Sequence, residues 1–120
     1  MRNKRKPELL GNDCEIYLAD CFDVLTELPA ESVDMIFADP PYNLGKDYGN
    51  NHDVQGFDDY LSFSRKWLKQ AHRILKPTGT LYVFMGFRFI SYLYDILDRD
   101  LRMFFNSWIV WHYTQGMGKT

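Results

Sequence analysis

The run Ser32-Val33-Asp34-Met35-Ile36-Phe37-Ala38, followed at once by Asp39-Pro40-Pro41-Tyr42, decides the fold. Its first part is a compact apolar run, typical of a strand that is buried on both faces within a parallel sheet. The two prolines stop the strand, because proline has no N–H group with which to continue the hydrogen bonding of a sheet. The run therefore predicts a central strand that ends at Ala38 and places Asp39 at its carboxyl end.

The sequence on the amino-terminal side of this strand indicates a shorter strand and a helix. Residues 15–19 are rich in strand-forming side chains. Asp20 is placed to cap a helix that follows it, and Pro29 ends that helix.

On the carboxyl side, a polar loop over 43–56 leads into a long helix that begins at Asp58 or Asp59. Small and apolar residues recur in this helix at steps of three and four, which predicts a single core-facing side. The helix ends at 76–79, where a proline and a glycine interrupt the pattern. The residues predicted to face the core are Leu61, Ser64, Leu68, Ala71 and Leu75.

Three further elements complete the pattern: a strand over 80–85, a second helix, and a strand over 105–113. Alternating strands and helices predict an α/β fold with an open, mostly parallel sheet and flanking helices. Ligands bind such sheets at the carboxyl ends of the strands, where we expect Asp20, the Asp39–Tyr42 run and Gly86. The core face of the second helix is predicted to consist of Phe89, Leu93, Ile96 and Leu97.

Composition limits the class of protein. With 120 residues, of which 46% are hydrophobic, the chain has room for one domain with a modest core. A net charge of -2 argues against a compact, strongly basic nucleic-acid module, although a local groove can still be positive. There is no apolar run long enough to span a membrane. Cys14 and Cys21 have neither zinc nor disulfide-framework spacing, which favours reduced thiols and a cytoplasmic location.

The run Asp39-Pro40-Pro41-Tyr42 after a buried strand resembles the catalytic signature of the DNA amino-methyltransferases. The order of the surrounding motifs is similar to the β class of that family, in which the catalytic motif precedes the glycine-rich cofactor motif. The resemblance implies a partial Rossmann-like methyltransferase sheet. The similar segments are 20–25, 28–29 and 32–34 before the signature, and 76–84, 106–111 and 116–118 after it.

One departure from that family concerns the cofactor motif. The Phe-x-Gly-x-Gly pattern that would hold the methionine end of the cofactor does not occur in these 120 residues. We therefore expect residues 1–120 to be the N-terminal part of a single catalytic domain that is incomplete at its C-terminus, with an N-terminal tail over about 1–13.

The signature residues suit methyl transfer to an exocyclic amine, which is a poor nucleophile because its lone pair is delocalised into the ring. The Asp39 carboxylate and the Pro40 carbonyl can accept hydrogen bonds from its two N–H groups, which favours a pyramidal nitrogen. Pro40 and Pro41 restrict the backbone and hold that carbonyl in place. The ring of Tyr42 offers a face on which a flipped-out base can stack. This chemistry needs no metal.

The resemblance also implies binding sites for a cofactor and a target base. It places S-adenosylmethionine near Asp20, Cys21 and Asp39, although Asp20 could equally serve as a helix cap. It assigns Tyr42, Asn43 and Trp111 to the pocket for the target base. Asn43 could also fix the loop through side-chain hydrogen bonds or terminate a turn, and Trp111 could be a buried strand aromatic.

The function implied is that of an S-adenosylmethionine-dependent enzyme of a restriction–modification system, which methylates N6 of a flipped adenine in double-stranded DNA. The alternatives left open are amino-methylation of cytosine N4 or of RNA, and an inactive truncated remnant. A further alternative is one subunit of a split enzyme, whose partner would be the missing C-terminal portion.

Overall fold

The computed structural model describes residues 8–9, 13–45, 55–112 and 114. Expectations for residues 1–7, for the centre of the loop at 46–54, for Tyr113 and for 116–118 lie outside this part. The elements are β1 (Glu8–Leu9), β2 (Glu15–Ile16), α1 (Cys21–Glu27), β3 (Val33–Ala38), α2 (Phe57–Ile74), β4 (Leu75–Val83) and α3 (Ile90–Asp95), which continues into a π-helical turn over Ile96–Asp100.

The strands form two pairs, which confirms the α/β class. β3 and β4 pair in parallel, with Ile36 opposite Leu81 and Phe37 opposite Tyr82. β1 and β2 pair antiparallel, and β1 falls within the expected N-terminal tail. The strand predicted over 15–19 is shorter than expected, since among the described residues it covers Glu15–Ile16 alone. Leu18, beyond that pairing, is fully exposed.

The parallel pair has one covered face and one open face. Ile36 and Ala38 of β3 and Leu81 and Val83 of β4 pack against the hydrophobic core. Because successive side chains of a strand point to opposite faces, the residues between them project away from that core. Among these, Phe37 is 62% exposed. The central strand is therefore partly buried on one face and exposed on the other, where the sequence predicted burial on both.

Helix α2 supplies the covering layer. The predicted core face is confirmed, since Leu61, Ser64, Leu68 and Ala71 are buried on α2, and Leu75, which begins β4, is buried as well. Tyr60, Trp67 and Ile74 are buried as well and widen that face beyond the predicted stripe. The predicted core residues Phe89, Leu93 and Ile96 are also buried, while Leu97 is partly buried against the same cluster.

Hydrogen bonds hold both ends of α1. Asp20 caps α1 as predicted, because its Oδ1 accepts a hydrogen bond of 2.9 Å from the Phe22 amide. At the other end of α1, the guanidinium of Arg73 on α2 donates to the carbonyls of Leu25 (2.8 Å) and Leu28 (2.9 Å). The last carbonyls of a helix lack partners within it, and here the neighbouring helix provides one.

The predicted boundary between the long helix and the next strand is wrong. The segment 76–79 does not separate helix from strand, since β4 begins at Leu75 directly after α2. An irregularity in the register between Val33 and Met35 accommodates the extra residues of β4. Gly79 lies so close to β3 that a Cβ atom there would be 3.0 Å from the Asp34 carbonyl oxygen.

The predicted strand over 105–113 is absent from its described part, 105–112. Ile109, Val110 and Trp111 are each about three-quarters exposed, so Trp111 is not a buried strand aromatic. The apolar composition suits a strand, but a strand forms only where a neighbouring edge accepts its hydrogen bonds, and in the described residues β4 pairs with β3 alone. Within the described part of the chain, no helix is both long and apolar enough to cross a bilayer.

Arg73 offers a test of how α1 is held. Replacing it with methionine keeps much of the apolar stem and removes both hydrogen bonds to the α1 carbonyls. We expect the free energy of unfolding to fall by about 1.5–3 kcal/mol, because bonds from charged donors to partly buried acceptors are lost. Urea denaturation measures this. Lys69→Met, on the exposed side of the same helix, is the matched control, and an equal loss there would contradict the assignment.

Candidate functional site

The signature run begins where β3 ends. The Ala38 carbonyl accepts a 2.8 Å hydrogen bond from the Phe84 amide, so the carboxyl ends of β3 and β4 meet at the same edge. Asp39 follows directly and is exposed, whereas Pro40, Pro41 and Tyr42 are half-buried. The structure thus places the Asp39 carboxylate at the edge of the sheet that the sequence predicted.

Asp39 and Tyr42 are linked by their side chains. The Tyr42 hydroxyl donates a hydrogen bond to Oδ1 of Asp39. An ionised carboxylate has room for about four hydrogen bonds, so this bond orients the Asp39 side chain and leaves it able to accept from a further donor. Sequence reasoning assigned the ring of Tyr42 to stacking and missed this role of its hydroxyl.

Tyr60, on the first turn of α2, holds the middle of the run. Its side chain is completely buried, and its hydroxyl donates a 2.6 Å hydrogen bond to the Pro41 carbonyl. The same oxygen lies 3.4 Å from Sδ of Met85. The Tyr60 ring packs 4.6 Å from that of Phe89. The signature loop is therefore tied to the hydrophobic core through its own backbone.

Asn43 closes the run. Its backbone lies in the left-handed region, with φ of 57°, which asparagine tolerates better than most residues. Its buried side chain accepts a 2.8 Å hydrogen bond from the backbone N–H of Gln55 and donates a 3.0 Å hydrogen bond to the backbone carbonyl of Gln55. The structure therefore shows that Asn43 fixes the loop, which is one of its expected roles. The oxygen and the nitrogen of its side chain both form hydrogen bonds to the backbone of Gln55.

A shallow cleft of about 230 Å³ adjoins this loop. Gly86, which was expected at the same edge of the sheet, lies beside Tyr42, since a Cβ at position 86 would be 3.8 Å from Tyr42 Cβ. The cleft meets the loop at Asn43, directly after the signature residues. Its lining comprises Asn43, Leu44, Gly45, Gln55, Phe57, Arg88 and Phe89.

The remaining predicted site residues lie on other segments. Asp20 and Cys21 are at the start of α1, where the Asp20 carboxylate serves as the helix cap. Burial raises the pKa of the Cys21 thiol, and the nearby Asp20 carboxylate adds to that rise. Trp111 is exposed, and its ring packs 6.0 Å from that of Phe84 on the open side of the sheet.

Sequence reasoning missed Tyr60 and Gln55. Tyr60 stands four residues before Ser64 and next to Leu61, so it lies on the core face of α2, and its polar end at that position could have been noticed. Gln55 carried no such signal, because it acts through its backbone N–H and carbonyl groups. Backbone partners of this kind are set by loop geometry and not by residue type.

The structure is an α/β arrangement consistent with part of a Rossmann-like methyltransferase fold, with an acidic, proline-fixed loop at the end of its parallel strand pair. A family model described as DNA methylase, for the N6/N4 methyltransferases, matches residues 33–120. The chain belongs to this DNA methylase family.

Individual relatives extend the similarity towards the amino terminus. The chain is 53% identical over 108 residues, or 90% of its length, to the type II methyltransferase M.HpaI of Haemophilus parainfluenzae. It is 37% identical over 87% of its length to the type II methyltransferase M.BamHI of Bacillus amyloliquefaciens. It is 33% identical over 94% of its length to the DNA adenine methyltransferase YhdJ of Escherichia coli.

These relatives are much longer than the matched region. The chain spans 34% of M.HpaI, 24% of M.BamHI and 38% of YhdJ.

The bond between Tyr60 and Pro41 can be tested without an activity assay. Tyr60→Phe keeps the buried ring and leaves the Pro41 carbonyl without its donor. We expect it to lower the free energy of unfolding by about 1 kcal/mol, the usual net value of one hydrogen bond, and by more if water does not reach the carbonyl. Thermal denaturation of the two proteins measures the difference. Tyr94→Phe, which alters an exposed tyrosine on α3, should change stability far less, and an equal effect would contradict the role of Tyr60.

Proposed function

We propose that this chain is the catalytic segment of an S-adenosylmethionine-dependent DNA methyltransferase that transfers a methyl group to N6 of adenine. The observation that carries the proposal is the Asp39 carboxylate, exposed at the carboxyl end of β3 and oriented by the Tyr42 hydroxyl. Membership of the DNA methylase family supports the same reaction.

The signature residues then act on the target amine. Asp39 accepts a hydrogen bond from one of its N–H groups, and the Pro40 carbonyl accepts one from the other. These bonds favour a pyramidal nitrogen and direct its lone pair towards the methyl donor. Positioned acceptors lower the barrier because no reorganisation is needed during the reaction. The anchoring of Pro41 by Tyr60 keeps the loop in one conformation for this task.

Adenine in double-stranded DNA is the substrate we propose. Similarity to YhdJ, named as a DNA adenine methyltransferase, supports adenine. An amine inside a base pair is out of reach, so the base must leave the stack. The Tyr42 ring, half-buried beside Asp39, would stack on the flipped base, and Asn43 supports this pocket by fixing the loop. We also assign Trp111 to this pocket. Its ring packs against that of Phe84, which directly follows β4.

The chemistry of the described residues suits the nucleoside part of S-adenosylmethionine. The carboxylates of Asp20 and Asp39 are acceptors for hydroxyl and amino groups, and both side chains are exposed. Asp20 and Cys21 at the start of α1, with Asp39, are the residues we propose to hold the cofactor. When bound, its sulfonium supplies an electrophilic methyl group and a good leaving group.

We further propose that residues 1–120 form one part of a single catalytic domain and act together with the portion found in the longer relatives. Selection of the DNA sequence would then reside in that other portion. A DNA substrate and reduced cysteines fit a cytoplasmic location.

A chimera tests the catalytic assignment. This chain replaces the matched region of M.HpaI, to which it is 53% identical, and DNA from cells that produce the chimera is analysed for methylated bases. We expect N6-methyladenine, and Asp39→Ala should reduce it at least about a hundredfold, because a positioned acceptor is lost. Asp34→Ala removes another exposed carboxylate, on β3, and should leave most activity. Full activity of Asp39→Ala would refute the assignment, and N4-methylcytosine as the product would overturn the choice of adenine.

Tyr42 allows the ring and the hydroxyl to be separated in the same chimera. Tyr42→Phe keeps the stacking face and removes the hydrogen bond to Asp39, so we expect the methylation rate to fall roughly tenfold, the equivalent of about 1.4 kcal/mol. Tyr42→Ala also removes stacking, which contributes about 1–3 kcal/mol per base, and should lower the rate by a further factor of at least ten. Initial rates on one DNA substrate compare the two. An unchanged rate for Tyr42→Phe would show that the bond to Asp39 has no catalytic consequence.

A further inference from the structure

We propose that Arg88 binds a phosphate of the DNA backbone next to the target adenine and so holds the flipped nucleotide at the signature loop. This inference rests on the proposed function, because it takes DNA as the substrate. The site is the cleft of about 230 Å³ that meets the loop at Asn43. Arg88 binds the backbone of the substrate there and does not touch the reacting amine.

Arg88 lies close to the signature residues. It follows Gly86 by two residues, and Gly86 lies beside Tyr42, since a Cβ at position 86 would be 3.8 Å from Tyr42 Cβ. Arg88 and Asn43 both line the cleft. A group bound in this cleft is therefore a neighbour of Tyr42, whose hydroxyl bonds to the Asp39 carboxylate.

Arg88 is available to bind an anion. Its side chain is exposed, and among the described residues that line the cleft it alone carries a charge. Within the described part of the chain, no carboxylate forms an ion pair with it. The basic side chains that have a partner, in an ion pair, over an aromatic ring or at backbone carbonyls, include Arg65, Lys66, Arg73, Lys76 and Arg99.

The ring of Phe89 supports the guanidinium of Arg88. Cζ of Arg88 lies over this ring at 5.7 Å from its centre. Phe89 is only 3% exposed, and its ring packs 4.6 Å from that of Tyr60, so the support is a fixed part of the core. A cation is attracted to the face of an aromatic ring, and the N–H groups at the edge of a guanidinium can donate two parallel hydrogen bonds to a phosphate. Arg88 is thus placed to bind a phosphate at the surface.

The size of the cleft indicates how much of a ligand it holds. Pockets that enclose a whole small-molecule ligand commonly measure roughly 300–1,000 Å³, and this cleft is smaller. It suits one unit of a longer ligand, such as a single phosphate with its sugar. The aromatic ring of Phe57, which also lines the cleft, offers the sugar an apolar contact.

The charges at this edge of the sheet give a reason for a cation at position 88. The net charge of the chain is -2, and the Asp39 carboxylate is exposed at the end of β3. Both repel a DNA backbone, and an arginine beside the loop offsets this repulsion where the target nucleotide has to approach. The carboxylate of S-adenosylmethionine is an anion as well, so the experiments measure the affinity for both ligands.

The salt dependence of DNA binding tests the proposal in the chimera with M.HpaI. Loss of one phosphate contact lowers the slope of log Kd against log salt concentration by about 0.9. We expect this change for Arg88→Gln, together with at least about tenfold weaker binding at low salt, because a charged hydrogen-bond donor is lost. Arg88→Lys keeps the charge and should keep the slope. The binding measurement does not require methylation.

Arg102→Gln is the matched control, because it removes an exposed arginine at the far end of the helical segment that begins at Ile90. It should change neither the slope nor the affinity for DNA. Calorimetry with S-adenosylmethionine should give the same Kd for the chimera and for its Arg88→Gln variant. An unchanged salt slope for Arg88→Gln would overturn the proposal. So would weaker cofactor binding at an unchanged slope, which would assign Arg88 to the cofactor carboxylate.

Neutral phosphate analogues locate the contact. Methylphosphonates replace, one at a time, the phosphates on either side of the target base. We expect one of them to weaken binding by the chimera and to have no further effect on Arg88→Gln, because both changes remove the same contact. Additive losses at every position would contradict the proposal. The identity of the methylated base tests the proposed function separately: N4-methylcytosine together with a slope lowered by about 0.9 would refute adenine and support the role of Arg88.

Discussion

The apolar side of α2 is the constraint on which the rest of this structure depends. A two-stranded parallel sheet cannot form a core by itself, and here Leu68 and Ala71 provide the surface on which it packs. The same helix holds α1 through Arg73 at one end and the signature loop through Tyr60 at the other. Because its terminus passes directly into β4, the position of α2 also sets where that strand begins. Loss of this packing would therefore affect both the sheet and the site.

The candidate site is a loop without helix or strand structure, and hydrogen bonds hold it in place. Tyr42 bonds to Asp39, Tyr60 to Pro41, and Asn43 to Gln55. Each link restrains a different residue of the loop, and the prolines restrict the backbone between them. An exposed carboxylate is thereby held by buried or half-buried neighbours, so that its orientation does not depend on a ligand. Such preorganisation is what a reaction at a weakly nucleophilic amine requires.

The sequence predicted those features that arise from local pattern. Spacing along α2 identified its core face, the proline run identified the end of β3, and Asp20 was recognised as a cap. It failed where pairing decides the outcome: 105–112 has the composition of a strand but forms none, and within 15–19 the described residues show pairing at Glu15–Ile16 alone. It also could not show that Tyr60 contacts Pro41, because that contact joins residues far apart in the chain through a main-chain carbonyl.

The two hydrogen bonds between Asn43 and Gln55 affect how the signature is defined. Position 43 demands a left-handed backbone and, at the same time, a side chain that donates to the backbone carbonyl of Gln55 and accepts from its backbone N–H. Glycine satisfies the first demand alone, and aspartate would face the Gln55 carbonyl with an acceptor where a donor is needed. Glutamine carries the same amide on a longer stem that enters the left-handed region less readily. Asparagine meets both demands, so on physical grounds the signature is five residues long, and its last member recognises the protein's own backbone.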